Sequence, residues 1–176
     1  MKEMGVLCDF HGTLVDANKA WADAFASCKL SNLDEIIDLI YKKVNRKIIC
    51  ADFGLDYDDI KNKYVNYLVP RDDVVNLVKK LSYDNTIIII SNSSRVRLMR
   101  DINQVKEQLG LNIIAVYSKE DGNKNDALYI ENILDKHHFD HAYIVGNDIR
   151  EDFNPSAKIT NIFVPYKNTI LLNKSL

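Results

Sequence analysis

Four polar clusters in this chain combine residue types that can bind phosphate or move protons. Asp9–Leu14 reads DFHGTL, a carboxylate followed by a glycine turn, and Ser91–Ser94 reads SNSS. Lys124 lies in the polar loop DGNKN, and Gly146–Asp152 reads GNDIRED. Taken singly, each has an ordinary alternative: an Asp-containing turn, a helix cap, a solvated lysine or surface carboxylates clustered by chance. Their chemistry depends on whether the fold brings them together.

Three of the clusters have a chemistry that suits their residue types. Asp9, at the end of an apolar run, can act as a nucleophile if it points into a crevice. The hydroxyl and backbone N–H groups around Ser91 and Asn92 suit a phosphate if they open a helix. The acidic run Gly146–Asp152 suits a hard, oxygen-liganded cation such as Mg²⁺.

The elements that must position these clusters are predicted from five apolar runs. The runs are continuous rather than alternating, which is typical of strands covered by helices on both faces. They are Gly5–Cys8, Thr86–Ile90, Ile113–Val116, Ala142–Val145 and Asn161–Val164. Helical patterns at Arg95–Leu109, with Gly110 as C-cap, and Asp126–Lys136 separate the later runs. We therefore predict an α/β fold with a doubly wound parallel sheet, in which ligands bind beyond the carboxyl ends of the strands.

The gap between the first two predicted strands is too long for a simple crossover. Residues 15–70 carry three helical stripes of apolar residues, and Ser31 followed by Asp34 predicts a capping box that opens the second helix. Pro70 is expected in the first turn of a helix over Asp72–Leu81. We predict a small all-helical cap over 15–70 and a core formed by 1–14 and 71–176.

Composition excludes several classes of protein. With 176 residues and a net charge of −2, the chain has no long-range attraction to nucleic acid polymers or anionic membranes. Its first residues are too polar for a signal sequence, and no apolar run approaches a membrane span. The three cysteines have no metal-site spacing, so we expect reduced thiols and a cytoplasmic protein.

The order of the four clusters resembles that of the haloacid dehalogenase superfamily. Asp9–Leu14 resembles the DxDGTL motif, and Ser91 resembles the Ser or Thr that ends the second motif. Lys124 resembles the lysine of the third motif, and Gly146–Asp152 resembles GDxxxD or GDxxxxD. The resemblance covers about residues 5 to 157, and it implies a Rossmann-like core.

The resemblance also implies roles for individual residues. Asp9 would attack phosphorus and form an aspartyl-phosphate, which water then hydrolyses. The implied catalytic residues are Asp9, His11, Ser91 and Lys124, and the implied phosphate ligands are Ser91, Asn92, Lys124, Gly12 and Thr13. The implied Mg²⁺ ligands are Asp9, the backbone carbonyl of His11, Asn147 or Asp148, and Asp152.

Two residues depart from the superfamily pattern. His11 stands where phosphatases of this superfamily have a second Asp as general acid/base; histidine suits proton transfer near neutral pH, so we expect that role for it. The alternative is that His11 only hydrogen-bonds the cap or an inhibitory neighbour. Asn147 stands where one alignment of the fourth motif has a metal-binding Asp, whereas a second alignment makes Asp148 the ligand.

The expected function is that of a Mg²⁺-dependent phosphomonoesterase acting on a small phosphorylated metabolite, such as a nucleotide or a sugar phosphate. One alternative is a hydrolase similar to dehalogenases or phosphonatases, although the acidic fourth motif argues against it. The other is a catalytically weakened, phosphate-binding regulatory protein, which His11 and Asn147 favour.

Overall fold

The computed structural model describes residues 4–165. The chain divides into two compact units, one formed by Asp16–Val69 and the other by the chain on either side of it. Within residues 4–165, no helix is both long and apolar enough to cross a membrane.

The larger unit is built on a five-stranded, all-parallel sheet. Its strands are β1 (Met4–Cys8), β2 (Thr86–Ile90), β3 (Asn112–Tyr117), β4 (His141–Gly146) and β5 (Ile159–Phe163). Their spatial order is β3-β2-β1-β4-β5, and every neighbouring pair is parallel. The predicted doubly wound α/β fold is thus confirmed. The chain winds outward in one direction from β1 to β3 and in the other through β4 to β5, so β1 lies at the topological switch point.

The strands form where the sequence is apolar on both faces. All four isoleucines of Ile87–Ile90 are buried, and so are Val6, Leu7 and Cys8 of β1. Because successive side chains point to opposite faces, burial of consecutive residues requires cover on both sides of the sheet. One face packs against Ile130, Ile133 and Leu134 of a single helix.

Four helices of the larger unit alternate with its strands along the chain. They are α5 (Asp72–Leu81), α6 (Arg95–Leu109), α7 (Ala127–Lys136) and the short α8 (Ile149–Asp152). Gly110 ends α6 in a left-handed conformation at φ 57°, as predicted, because glycine adopts positive φ without a Cβ clash. Asp126 is not inside α7 but precedes it, and its carboxylate accepts the backbone N–H groups of Leu128 and Tyr129.

Two further boundary predictions in this unit are wrong. The last strand was expected at Asn161–Val164, but it begins at Ile159, which pairs with Ala142 of β4. Thr160, between Ile159 and the predicted start, is polar and lies on the exposed edge strand, so apolarity alone misplaced the start. Pro70 does not enter the first turn of α5, because it bridges to Val15 and leaves the N-cap position to Arg71.

The smaller unit contains four helices rather than the three stripes of the sequence pattern. They are α1 (Ala17–Ala26), α2 (Leu33–Tyr41), α3 (Arg46–Asp52) and α4 (Tyr57–Asn66). The extra helix is α3, whose Asn45 side chain caps it by accepting the N–H of Lys47. The capping box predicted from Ser31 and Asp34 is wrong, because Asn32 occupies the N-cap of α2 and makes no side-chain cap bond.

The interior of the smaller unit is apolar and aromatic. Trp21 of α1 stacks on Tyr64 of α4 with ring centroids 4.3 Å apart, and Phe25, Ile36 and Ile49 are fully buried. Among residues 4–165, the buried polar and charged side chains all lie outside Asp16–Val69. Among the described residues, the buried polar groups that could take part in a reaction therefore belong to the sheet unit.

Candidate active site

The carboxyl ends of β1 and β4 bring Asp9 and Asn147 together. The backbone N–H of Asp9 donates to the carbonyl of Val145 at 2.9 Å, which continues the pairing of the two strands. The Thr13 hydroxyl lies 3.1 Å from Asp9 Oδ2 and 3.2 Å from Asn147 Oδ1. Residues from the first and fourth clusters thus share one hydroxyl at the switch point of the sheet.

The turn after β1 holds Thr13 in this position. Gly12 has φ 86°, a conformation that favours glycine, and its N–H donates to the carbonyl of Val15 at 2.9 Å. The buried Arg71 guanidinium donates to the Gly12 carbonyl at 2.8 Å. The loop is therefore fixed by backbone bonds and by one buried cation.

Lys124, from the third cluster, contacts residues that follow β1 and β4. Its Nζ donates to Asp9 Oδ1 at 3.0 Å and also to Asp152 Oδ1. Lys124 is 4% exposed, so this contact lies out of solvent. The buried Asn154 side chain holds the lysine loop by donating to the Lys124 carbonyl at 2.9 Å.

Asp152 reaches Lys124 because Gly146 leaves room for it. A Cβ atom on Gly146 would overlap the side chain of Asp152, so a larger residue at the end of β4 would displace the carboxylate. The other oxygen of Asp152, Oδ2, accepts the backbone N–H of Asp148 at 2.8 Å. The glycine of the fourth motif is thus required by the packing of the last aspartate of that motif.

The electrostatics of this cluster are those of two buried carboxylates sharing one ammonium group. Burial, supported by the nearby charge of Asp152, raises the pKa of Asp9 to about 6 against the opposing charge of Lys124. Burial also opposes the charge on Lys124, but the two carboxylates outweigh it and raise the pKa of Lys124. With all three ionised, the cluster carries one net negative charge.

The donor set of this cluster fits a hard divalent cation. The Thr13 hydroxyl has one proton but faces two acceptor oxygens, from Asp9 and Asn147, so one of these contacts lacks a donor. Mg²⁺ prefers oxygen ligands. An oxygen atom that lacks a hydrogen-bond donor, in a cluster of net negative charge, is suited to bind it. Among residues 4–165 no group of three or more His, Cys, Asp or Glu side chains is arranged to hold a metal ion.

The two alternatives left open for the fourth motif differ in their contacts. Asn147 shares Thr13 with Asp9, as described above. The Asp148 carboxylate instead caps α8, accepting the backbone N–H of Arg150 at 3.0 Å, and it also pairs with the Arg150 guanidinium. The geometry therefore favours Asn147 over Asp148 as the neighbour of Asp9.

The His11 side chain is held by residues of the second cluster and of α6. Its Nε2 lies 2.8 Å from Asp101 Oδ2, and its Nδ1 lies 3.0 Å from the Ser93 hydroxyl. Burial lowers the pKa of His11, against the raising effect of the Asp101 hydrogen bond. The His11 imidazole is thus hydrogen-bonded within the sheet unit, to Asp101 and Ser93.

Ser91 and Asn92 occupy different environments at the end of β2. Ser91 is buried, its N–H donates to the carbonyl of Tyr117 at 2.9 Å, and its hydroxyl accepts the N–H of Ser93 at 3.2 Å. Asn92 is exposed. Ser94 occupies the N-cap position of α6 without a side-chain cap bond.

Four residues that support this site were given no individual role from the sequence, although Ser93 lies in the second cluster. Arg71 holds the Gly12 carbonyl, and Asn154 holds the lysine loop. Ser93 contacts Nδ1 of His11, and Asp101 contacts Nε2. Asp101 carried a usable signal, since it is a charged residue on the apolar side of the α6 helical pattern, at the spacing of Leu98 and Val105. The other three are polar residues in loops, where no periodicity marks burial.

Comparisons with known proteins bear on the fold. No family model matches the sequence, and a search of curated proteins gives no match. Among solved structures, a hydrolase from Streptococcus pneumoniae is 13% identical with a TM-score of 0.62, covering 100% of both chains. A dehalogenase is 15% identical with a TM-score of 0.59, covering 97% of this chain and 96% of its own.

A third structure, from Bacillus subtilis, is named a HAD-hydrolase, that is, a haloacid dehalogenase-type hydrolase, and is described as bound to magnesium. It is 14% identical with a TM-score of 0.57, covering 86% of this chain and 83% of its own. At these identities the likeness concerns the course of the chain rather than individual residues. The resemblance found in the four sequence motifs is therefore confirmed at the level of architecture: this chain has the fold of the haloacid dehalogenase superfamily hydrolases.

Proposed function

We propose that this protein is a Mg²⁺-dependent phosphomonoesterase of the haloacid dehalogenase superfamily, with Asp9 as its nucleophile and a small phosphorylated metabolite as its substrate. The observation that carries the proposal is the bridge from Lys124 to Asp9 and Asp152. It unites the first, third and fourth motifs in one buried cluster whose net charge and oxygen atoms suit a cation.

In the proposed first step, a carboxylate oxygen of Asp9 attacks phosphorus while the bond from phosphorus to the leaving-group oxygen breaks. The leaving oxygen takes a proton, for which His11 is the candidate donor. In the second step, water attacks phosphorus and Asp9 leaves as a carboxylate. Lys124 keeps Asp9 ionised and offsets the charge of the phosphoryl group, since such reactions depend mainly on positioning and electrostatics.

The candidate Mg²⁺ ligands are Asp9, the His11 carbonyl and Asn147, with Asp152 close to them through Lys124. When bound, the cation would neutralise charge on the phosphoryl oxygens. Ser91, buried at the end of β2, is the candidate phosphate ligand on the opposite side of Asp9, with the turn at Gly12 and the exposed Asn92 as further candidates.

Asp152 supports a phosphatase rather than a dehalogenase. Halide-cleaving relatives work without Mg²⁺ and have little need of a second buried carboxylate beside the nucleophile. In this chain Asp152 is buried, shares Lys124 with Asp9 and has its own space against Gly146. We propose further that the helical unit Asp16–Val69, inserted after the first motif, serves as the cap that selects the substrate.

The test is turnover of a chromogenic aryl phosphate by the full chain, with Mg²⁺ and with a chelator. We expect Mg²⁺-dependent hydrolysis that falls to background in Asp9→Asn, because an amide is a poor nucleophile of similar shape. Asp16→Asn is the matched control. Asp16 lies just beyond the same turn, and its side chain caps α1. Thermal unfolding should show that both variants fold.

Three outcomes would contradict the proposal in different ways. Undiminished hydrolysis by a folded Asp9→Asn protein would exclude Asp9 as the nucleophile. Release of halide from a haloacid, without any phosphatase activity, would favour the dehalogenase. Binding of phosphate without turnover of any phosphate ester would favour a regulatory protein.

A further inference from the structure

His11 is fixed at both of its ring nitrogens by side chains of the sheet unit. Nε2 lies 2.8 Å from Oδ2 of Asp101, and Nδ1 lies 3.0 Å from the hydroxyl of Ser93. Asp101 is fully buried in α6, whereas the His11 side chain retains 11% exposure. The buried end of the imidazole is therefore the Nε2 end.

These contacts determine which nitrogen carries the proton in the neutral ring. An ionised carboxylate only accepts hydrogen bonds, so Nε2 must be the N–H donor to Asp101. Nδ1 is then an acceptor, and the Ser93 hydroxyl donates to it. Arg100 donates to the other oxygen of Asp101, Oδ1, at 2.8 Å through Nε, so both oxygens of this side chain accept hydrogen bonds and the carboxylate form is the relevant one.

Ser93 connects Nδ1 with the candidate phosphate-binding loop. The backbone N–H of Ser93 donates to the hydroxyl of Ser91 at 3.2 Å, so Nδ1 and the buried Ser91 are separated by a single residue. The Ser93 hydroxyl can also rotate and accept a bond when Nδ1 is protonated. Either protonation state of His11 is thus accommodated on the side of the ring that faces this loop.

We propose that Asp101 is a positioning residue: its carboxylate holds the Nε2–H of His11, which leaves Nδ1 directed at Ser93 and the loop of Ser91 as the nitrogen available to the leaving group. This rests on the proposed phosphatase function. As the bond from phosphorus to oxygen breaks, the leaving oxygen takes the Nδ1 proton and His11 becomes neutral. The attacking water of the second step returns a proton to Nδ1. Asp101 does not change its protonation, in keeping with the role of aspartates that orient a catalytic histidine.

The competing interpretation is that Asp101 serves only as an ion-pair partner within α6. Arg100 donates to Asp101 Oδ1 at 2.8 Å through Nε, and Arg97 Nε lies 3.7 Å from Oδ2. A purely structural role would affect all substrates alike. A role through His11 would affect only those substrates whose leaving group needs a proton.

The kinetic test compares Asp101→Asn with the wild-type chain on an alkyl phosphate and on an aryl phosphate at saturating Mg²⁺. An alkoxide leaves poorly without a proton, whereas a phenolate does not need one. We expect kcat for the alkyl ester to fall roughly 10- to 100-fold, the range typical of residues that orient a metal-binding histidine, with kcat for the aryl ester little changed. Glu107→Gln, which neutralises an exposed carboxylate on the same helix, should change neither value.

A second measurement reads the tautomer without depending on activity. Nitrogen-15 spectra of histidine-labelled, metal-free protein at pH ~8, where neutral imidazole predominates, should show His11 protonated at Nε2, with the signal assigned from its loss in His11→Ala. In Asp101→Asn, the amide can donate to Nε2, and this signature should be lost or mixed. A wild-type His11 protonated at Nδ1 would overturn the proposal even if the variant does not fold.

The two proposals fail in distinguishable ways. Equal losses on alkyl and aryl phosphates in a folded Asp101→Asn protein would overturn the positioning role and leave the phosphatase proposal intact. Absence of all phosphatase turnover in the wild-type chain would overturn the phosphatase proposal, and the proton transfer assigned to Nδ1 with it.

Discussion

Asp9 and Asp101 are both buried aspartates of the sheet unit, and they differ in the charges around them. Asp9 shares a single cation, Lys124, with a second carboxylate. Asp101 meets the guanidinium groups of two arginines and the imidazole of His11. Accordingly, burial raises the pKa of Asp9 to about 6, whereas hydrogen bonds and nearby cations lower the pKa of Asp101 despite its burial.

The contrast matches the proposed roles of the two residues, Asp9 as the nucleophile and Asp101 as the residue that orients His11. The Asp9 cluster has one negative charge in excess, so it can gain a cation without losing an existing partner. The Asp101 cluster already has its countercharges, so its aspartate stays ionised and is suited to holding His11. Substitution of one member of either cluster should therefore show whether the difference in charge determines how the two aspartates behave.

The largest effect is expected for Lys124→Met. It would leave two buried carboxylates without their cation, so we expect a loss of about 3–5 kcal/mol in the free energy of unfolding near neutral pH. Phosphatase activity should fall about 10²–10³-fold, as when one preorganised donor to a developing charge is removed. Lys119→Met, on the exposed start of the same loop, is the control for loss of a lysine. Stability is measured by denaturant unfolding and activity by turnover of an aryl phosphate. If neither changes in Lys124→Met, Lys124 is not the cation that Asp9 and Asp152 share.

A smaller effect is expected for Asp152→Asn, which removes the second carboxylate but leaves Lys124 with Asp9. The site loses negative charge, so we expect activity at low Mg²⁺ to fall roughly 10- to 100-fold and to recover in part at high Mg²⁺. The measurement is the Mg²⁺ concentration that gives half-maximal turnover. Glu151→Gln removes an exposed neighbouring carboxylate and should leave this concentration unchanged. An equal shift in both variants would mean that only general surface charge matters.

Asn147→Asp adds a carboxylate to the Asp9 cluster and so increases its excess of negative charge. A charged oxygen binds Mg²⁺ more strongly than an amide oxygen, so we expect the Kd for Mg²⁺ to decrease on the order of tenfold. Asp148→Asn is the matched opposite change, because Asp148 caps α8, and it should leave the Kd nearly unchanged. Titration calorimetry checks both, and the reverse pattern would assign the ligand role to Asp148.

The smallest effect concerns stability and pH in Asp101→Asn. Asparagine keeps a neutral hydrogen bond, so we expect a loss of about 1 kcal/mol. The folded pKa of Asp101 lies below its unfolded value, so its stabilising contribution is present above pH ~4 and is lost as the pH falls through the folded pKa. The difference in unfolding free energy between wild type and variant, measured without metal, should therefore narrow at acidic pH. A gap that widens there would contradict the lowered pKa of Asp101.

The sheet could be predicted because its burial leaves a direct signal in the sequence. The continuous apolar runs of β1 and β2 and the glycine at the end of α6 indicate strands and a helix end by local chemistry alone. The edge strand β5 was misplaced because one side of it faces solvent, and the short helix α3 was missed because seven residues are too few for a clear period.

The candidate site was predictable only where chain position fixes geometry. Asp9 and Asn147 follow neighbouring parallel strands, so their proximity follows from the fold. The contact of His11 with Asp101 joins residues 90 positions apart through a side chain on α6, and no local pattern encodes that contact. The same holds for Asn154, whose amide reaches the Lys124 carbonyl across two loops.

The measurement that tests the central claim most directly is the location of the phosphoryl group during turnover. The wild-type chain, mixed with Mg²⁺ and an aryl phosphate and quenched in acid, should carry one phosphoryl group on the peptide that contains Asp9. The adduct should survive acid, be cleaved by hydroxylamine as an acyl phosphate, and be absent from Asp9→Asn. A hydroxylamine-resistant phosphoryl group on Ser91 or Ser93, or steady turnover by Asp9→Asn, would contradict the account.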